Sequence, residues 1–132
     1  MSYLLDSHTL IWAIMDPGKL SAKVRRILED TDNRVLVSSV SFWEISLKYS
    51  LGKLDLQGIV PEQLPKIIIQ IGFELIELLP DEAATYHQLE ANWHRDPFDR
   101  MLIWQAIQNK MTIISKDSHV ASYKSVGLKV IW

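Results

Sequence analysis

The sequence predicts an α/β fold of three layers, α/β/α, around a mainly parallel sheet of four to five strands. Three observations predict it. Short β-branched or buried apolar runs alternate with stretches of helical spacing along the chain. Turn and cap residues stand at the junctions between them. No Pro/Gly/Ser-rich linker interrupts the 132 residues, so residues 1–132 read as a single domain. In order, residues 2–6 form a short buried strand that ends in an acid, and residues 7–15 space Leu10, Ile11 and Ile14 helically. Asp16-Pro17-Gly18 is a turn. Ser21 caps a helix to Asp30 with Val24, Ile27 and Leu28 on one face. After a polar loop at 31–34, Val35-Leu36-Val37-Ser38 is a second strand. Ser39 or Ser41 caps a helix to about Leu51, whose expected face is Val40, Trp43 or Glu44, Leu47 and Leu51, and Gly52 ends it.

Residues 61–71 form the next helix, with a proline in its first turn and Gly72 after it. Residues 73–78 suit a short strand, and Pro80 and Asp81 open a helix through about Asn92. Asp96-Pro97-Phe98-Asp99 starts another, with Asp96 as N-cap and Pro97 in the first helical position, running to about Asn109. Residues 111–115 are a buried strand, 117–124 a short helix and 128–132 a last strand. Alternating units of this kind give right-handed crossovers and helices on both faces. They also put the active site beyond the C-terminal ends of the strands.

Composition narrows the chemistry. A hydrophobic fraction of 48% supplies an ordinary core, and no internal repeat is present. No apolar run approaches the ~20 residues of a membrane span, and residues 1–6 do not resemble a secretion signal. With no cysteine, disulfides, zinc–thiolate sites and thiol nucleophiles are excluded, and a reducing, cytoplasmic location is expected. The net charge of −2 counts against a passive nucleic-acid binder. It does not count against a nuclease, because carboxylates that hold a divalent cation contribute that negative charge.

Four acids fall where such a site belongs. Asp6 follows the first strand, Glu44 lies on the helix after the second, Asp99 is in the first turn of its helix, and Asp117 follows the 111–115 strand. Sequence-distant carboxylates can thus converge at one sheet edge. Without Cys or paired His, the donor set suits hard cations, Mg²⁺ or Mn²⁺, as one or two ions. Such ions suit phosphodiester hydrolysis, by making hydroxide available near neutral pH and stabilising the leaving oxygen. Each acid also has a structural reading: Asp6, Asp96 and Asp117 as caps, Asp99 on the helix dipole, Glu44 paired with Lys48 at i,i+4.

The local sequences around the acids carry a resemblance. Leu4-Leu5-Asp6-Ser7-His8 resembles the opening of PIN-domain toxins of the VapC type. Ser38-Ser39-Val40-Ser41-Phe42-Trp43-Glu44-Ile45, with Lys48 and Gly52-Lys53-Leu54, is similar to that family's second block. His94-Arg95-Asp96-Pro97-Phe98-Asp99-Arg100-Met101-Leu102-Ile103 is similar to its most specific block, and Thr112-Ile113-Ile114-Ser115-Lys116-Asp117 to its last. Trp104 stands where alanine is common, and Ser115-Lys116 where threonine is. The resemblance implies a PIN-like fold and a Mg²⁺- or Mn²⁺-dependent endoribonuclease acting on RNA. It also implies a homodimer, a cognate antitoxin partner and no membrane. Carried over, the catalytic and metal-binding acids are Asp6, Glu44, Asp99 and Asp117.

Around them, Asp96, Ser115, Arg95, Arg100, Lys48 and His8 are candidates for substrate contact or support, with His94, Lys53 and Lys116 beside them. Arg95 and Arg100 are read either as phosphate contacts or as solvated surface. Trp12, Trp43 and Trp104 are read as core or dimer interface rather than base-stacking residues. Rival acid-based enzymes lack their signatures here. A receiver domain wants paired acids after its first strand, and a haloacid-dehalogenase-type phosphatase wants Asp-x-Asp where His8 follows Asp6; no phosphate-binding glycine loop is present. The alternative of another class is a catalytically silent PIN-like binding scaffold.

Overall fold

The computed structural model of the chain describes residues 1–90 and 95–132. Five strands form one parallel sheet: β1 (Ser2–Leu5), β2 (Arg34–Ser38), β3 (Glu74–Ile76), β4 (Thr112–Ile114) and β5 (Lys129–Ile131). Their order is β3-β2-β1-β4-β5, so β1 is central and the chain reverses direction of travel across the sheet between β1 and β4. The register pairs Leu4 with Leu36 on one side and with Ile113 on the other. The helices are α1 (Ser7–Met15), α2 (Ala22–Glu29), α3 (Ser39–Ser50), α4 (Leu64–Gln70), α5 (Pro80–Thr85), α6 (Pro97–Gln108) and α7 (Ser118–Ala121).

Side chains alternate across each strand, and two cores result. Leu4, Leu36 and Ile113 face one way, onto Leu102, Ile103 and Ala106 of α6 and Val120 of α7. Tyr3, Leu5, Val35, Val37 and Ile114 face the other, onto Leu10 of α1, Val24 of α2, Ile45 of α3 and Ile68 of α4. This is the predicted three-layer arrangement, with all five strands parallel. Among the described residues no helix is long and apolar enough to cross a membrane.

Three expectations need correction. α3 buries Val40, Ser41, Glu44 and Ile45, while Trp43, Leu47 and Leu51 form an exposed stripe, 63%, 40% and 58% accessible. The apolar spacing was real, but it marks two faces of one helix, and the inward one carries a carboxylate. The helix opened by Pro80 ends at Thr85 and passes into a tighter turn to Gln88; its expected residues 91 and 92 lie outside the described residues. The helix expected over 61–71 starts as a tight turn at Pro61–Gln63 and becomes α-helical only from Leu64. Gly52 does close α3, at φ +70°, a conformation that a Cβ disfavours.

Candidate active site

The reversal between β1 and β4 leaves a crevice at the C-terminal edge of the sheet, and the acids gather there. Asp6 leaves β1 with its amide donating to the Ile114 carbonyl of β4 at 3.2 Å. Its Oδ1 caps α1 by accepting from the Thr9 amide at 2.8 Å. The Thr9 hydroxyl donates back to the Ile114 carbonyl, so the start of α1 is tied to the end of β4. Asp6 is 5% exposed. Burial pushes its carboxyl up, against the opposing pull of hydrogen bonds from Ser115 and Thr9 and the charge of His8.

Glu44 comes from the inward face of α3 and is 3% exposed. One oxygen accepts from the Ser7 hydroxyl at 2.6 Å, and the other from the Lys48 ammonium one turn on. Burial pulls Lys48 down, but its hydrogen bond to Glu44 and the charges of Glu44, Asp96 and Asp99 hold it above the ordinary lysine range. Lys48 is therefore the internal counter-cation of the acid cluster.

Asp99 enters from the first turn of α6. Asp96 caps that helix by accepting from the amides of Phe98 at 2.9 Å and Asp99 at 3.2 Å. Pro97, with no amide proton and its φ already helical, follows the cap without loss. Asp99 is pushed up to about 7, first by burial and then by the charges of Asp96, Glu44, Asp6 and Asp117. The three other predicted acids thus lie within electrostatic reach of Asp99, behind burial and Asp96 in their effect on it. Asp117 caps α7, accepting from the His119 amide at 2.8 Å. Buried Ser115 joins two members, hydrogen-bonding to Asp6 and accepting from the Asp117 amide at 3.1 Å.

The donor set is oxygen-rich and anionic, the kind that hard divalent cations take. Among the described residues, no three acid or histidine side chains form a group that could hold a metal ion. Asp6, Glu44 and Asp117 each accept a hydrogen bond from a protein donor. Mg²⁺ ordinarily takes one or two carboxylates directly and keeps several waters, a mode that does not need three side chains in contact with the ion.

The outlying candidates divide. His8 is exposed at the site's rim, its ring 5.8 Å from that of Trp12. Arg95 is exposed, and His94 lies outside the described residues. Arg100 is neither a solvated arginine nor an available phosphate contact. It is 7% exposed and donates to the hydroxyls of Tyr86 at 2.9 Å and Tyr123 at 2.6 Å and to the Leu89 carbonyl at 3.1 Å. A guanidinium needs such a fork when buried, and this one fastens α6 to the segments around it. Trp104 is buried, with its indole N–H donating to Thr85 at 3.1 Å. Trp43 is exposed, its ring 4.9 Å from that of Phe98. Trp12 packs against the core under α1, as expected, and its outer part also lines a cleft beside Glu44.

Residues 3–125 match the PIN domain family. Ribonuclease VapC22 of Mycobacterium tuberculosis is 25% identical over 129 residues, spanning 98% of this chain and 97% of that one. Among solved structures, VapBC from Salmonella typhimurium, bound to DNA, superposes with a TM-score of 0.68 at 16% identity, covering 99% of this chain and 97% of that chain. VapBC2 from Rickettsia felis, bound to a DNA fragment from its promoter, superposes with a TM-score of 0.66 at 18% identity, covering 99% and 98%. At these identities the superpositions establish a shared fold.

Proposed function

The chain belongs to the PIN domain family, and from that premise we propose that it is a metal-dependent endoribonuclease serving as the toxin of a toxin–antitoxin pair. The observation that carries the proposal is the gathering of Asp6, Glu44 and Asp117 within electrostatic reach of Asp99, whose carboxyl burial first, then Asp96 and then these three charges push up to about 7. Carboxylates so close repel one another, and a fold that keeps them together gains most when a cation joins them. The relative named as a ribonuclease supports RNA as substrate.

In this reading Asp6, Glu44, Asp99 and Asp117 hold one or two Mg²⁺ or Mn²⁺ ions. When bound, such ions supply a water of lowered pKa and Lewis-acid stabilisation of the phosphoryl oxygens. The chain's own residues do the rest. Ser7 and Ser115 fix the orientations of Glu44 and Asp6. Lys48 neutralises Glu44 while no metal is there, and can turn to a phosphate oxygen once the acids are satisfied. Arg95, exposed just before the cap of α6, is the residue assigned in this reading to contact the RNA backbone.

The antitoxin assignment draws on the two VapBC assemblies that share the fold. A homodimer is supported by the exposed Trp43, Leu47 and Leu51 stripe on α3, an apolar surface that a monomer would leave wet. The reading is tested by Mn²⁺ titration calorimetry on the wild type and Asp6→Asn, with RNA cleavage measured on both. Binding and cleavage that the variant loses together support it. A wild type that binds no metal and cuts no RNA reduces the protein to a PIN-like scaffold.

A further inference from the structure

Beside the acids, and sharing Glu44 and Lys48 with them, lies a cleft of about 370 Å³. That is within the size range of small-ligand sites. Its walls come from α1 and α3 and the segment after α3: His8, Ile11, Trp12, Ile45, Lys53 and Leu54. The lining combines two kinds of group. Aromatic and aliphatic surface makes up most of it, and Lys48, whose ammonium is paired with Glu44, and Lys53 line it as well.

Trp12 is the central element. His8 and Trp12 are one turn apart on α1, with ring centroids 5.8 Å apart. Trp132, next to the last strand, meets Trp12 edge-on at 5.7 Å. The Lys19 ammonium stands 6.0 Å from the same ring. The indole is therefore braced by other side chains, and a braced aromatic surface binds a planar partner at little entropic cost.

We propose that this cleft is a subsite for one unpaired nucleobase of the RNA, stacked on Trp12 and flanked by phosphates that Lys53 and Lys48 contact. The proposal rests on the nuclease reading above and deepens it. A nucleotide is the ligand that unites what the cleft offers: a flat apolar face for the base, and anionic groups for the lysines. The shared Glu44 edge places that nucleotide next to the acids that would cut its neighbouring phosphate. A basic peptide segment is disfavoured here, because Lys19, Lys48 and Lys53 all border the cleft or its tryptophan. The subsite would confine cleavage to single-stranded RNA and hold one unpaired base beside the cut with little preference for its identity.

The test is abasic scanning of a short single-stranded RNA, read by fluorescence anisotropy with Ca²⁺ in place of Mg²⁺ so that the bound strand persists. The proteins are the wild type, Trp12→Ala, Trp12→Phe and Lys53→Ala. For the wild type, one position should lose about 5- to 150-fold in affinity when its base is removed, the range for one base–aromatic stack. The same position should lose little in Trp12→Ala, because the partner is already gone. Trp12→Phe should keep most of the sensitivity. Lys53→Ala should weaken binding at every position alike and flatten the salt dependence by about one unit of slope. Equal penalties in wild type and Trp12→Ala, or no position-dependent penalty in the wild type, would overturn the subsite. So would failure of the wild type to bind the strand. Cleavage of the same RNA with Mn²⁺ is measured separately: its absence alone would sink the nuclease reading while a Trp12-dependent stacking position would still stand.

Discussion

At the scale of single residues, the acids were legible because each sits in a distinctive local sequence. Their partners were not. Nothing in the spacing of Arg100 announces that Tyr86 and Tyr123, 14 and 23 residues away, close on its guanidinium. The cleft position of Trp12 depends likewise on Trp132 at the other end of the chain. Only the four-residue spacing of His8 and Trp12 on one helix was available as a signal. Two predictions belong here. Arg100→Lys should lower unfolding stability by about 1–3 kcal/mol in chemical denaturation, since lysine cannot reproduce a three-way fork, with little change in the KM for RNA. An RNA-affinity loss without a stability loss would place Arg100 in the substrate path instead.

Asp99 gives the second. Its carboxyl is raised in the fold, to about 7 from the ordinary 3.8. The folded state then holds more protons than the unfolded chain across that interval. Metal-free protein should therefore lose stability as pH rises from about 4 to about 7, by up to about 4 kcal/mol before solvent screening is counted. Asp99→Asn should flatten that slope and raise the melting temperature of the metal-free protein at pH 8, even as it removes activity. A wild-type protein whose stability rises over the same interval would contradict the repulsion.

At the scale of elements, the sequence read well where caps and turns are strong. Ser21, Asp96 and Gly52 stand where expected, at a helix start, a helix start and a helix end. It read less well on α3, where spacing alone could not say which of two apolar stripes faces inward, because Glu44 spends its charge on Lys48 and Ser7 rather than on water. The start of α6 does two jobs, and they can be separated. Asp96→Ala removes the cap and should cost about 1 kcal/mol in thermal or chemical unfolding. Asp96→Asn keeps a good cap but removes a charge that raises Asp99. The pH interval over which the metal-free protein loses stability should then move downward in Asp96→Asn, as measured by thermal unfolding across pH. An unchanged profile would show that Asp96 does not act on Asp99 through its charge.

At the scale of the whole molecule, the alternation of strands and helices contained the fold, and the strand order explains the site. With β1 central and the reversal falling between β1 and β4, Asp6 and Ser115 are neighbours although 109 positions separate them in sequence. Helices from both layers then bring in Glu44 and Asp99 over the same edge. What the sequence could not convey was the cleft, which needs α1, α3 and the 53–54 segment in place at once. The assembled protein should gain stability from the ion it gathers: Mn²⁺ at a hundred times its dissociation constant should add about 2.7 kcal/mol, seen as a rise in melting temperature that Asp99→Asn lacks. The most direct measurement is cleavage of a defined RNA panel by purified protein, free of any partner, with Mg²⁺ or Mn²⁺ and with EDTA, beside Asp99→Asn prepared in the same way. Cutting that needs the metal and disappears in the variant is the predicted result; equal cutting by both proteins, or cutting that survives EDTA, would contradict a metal-dependent site built on these four acids.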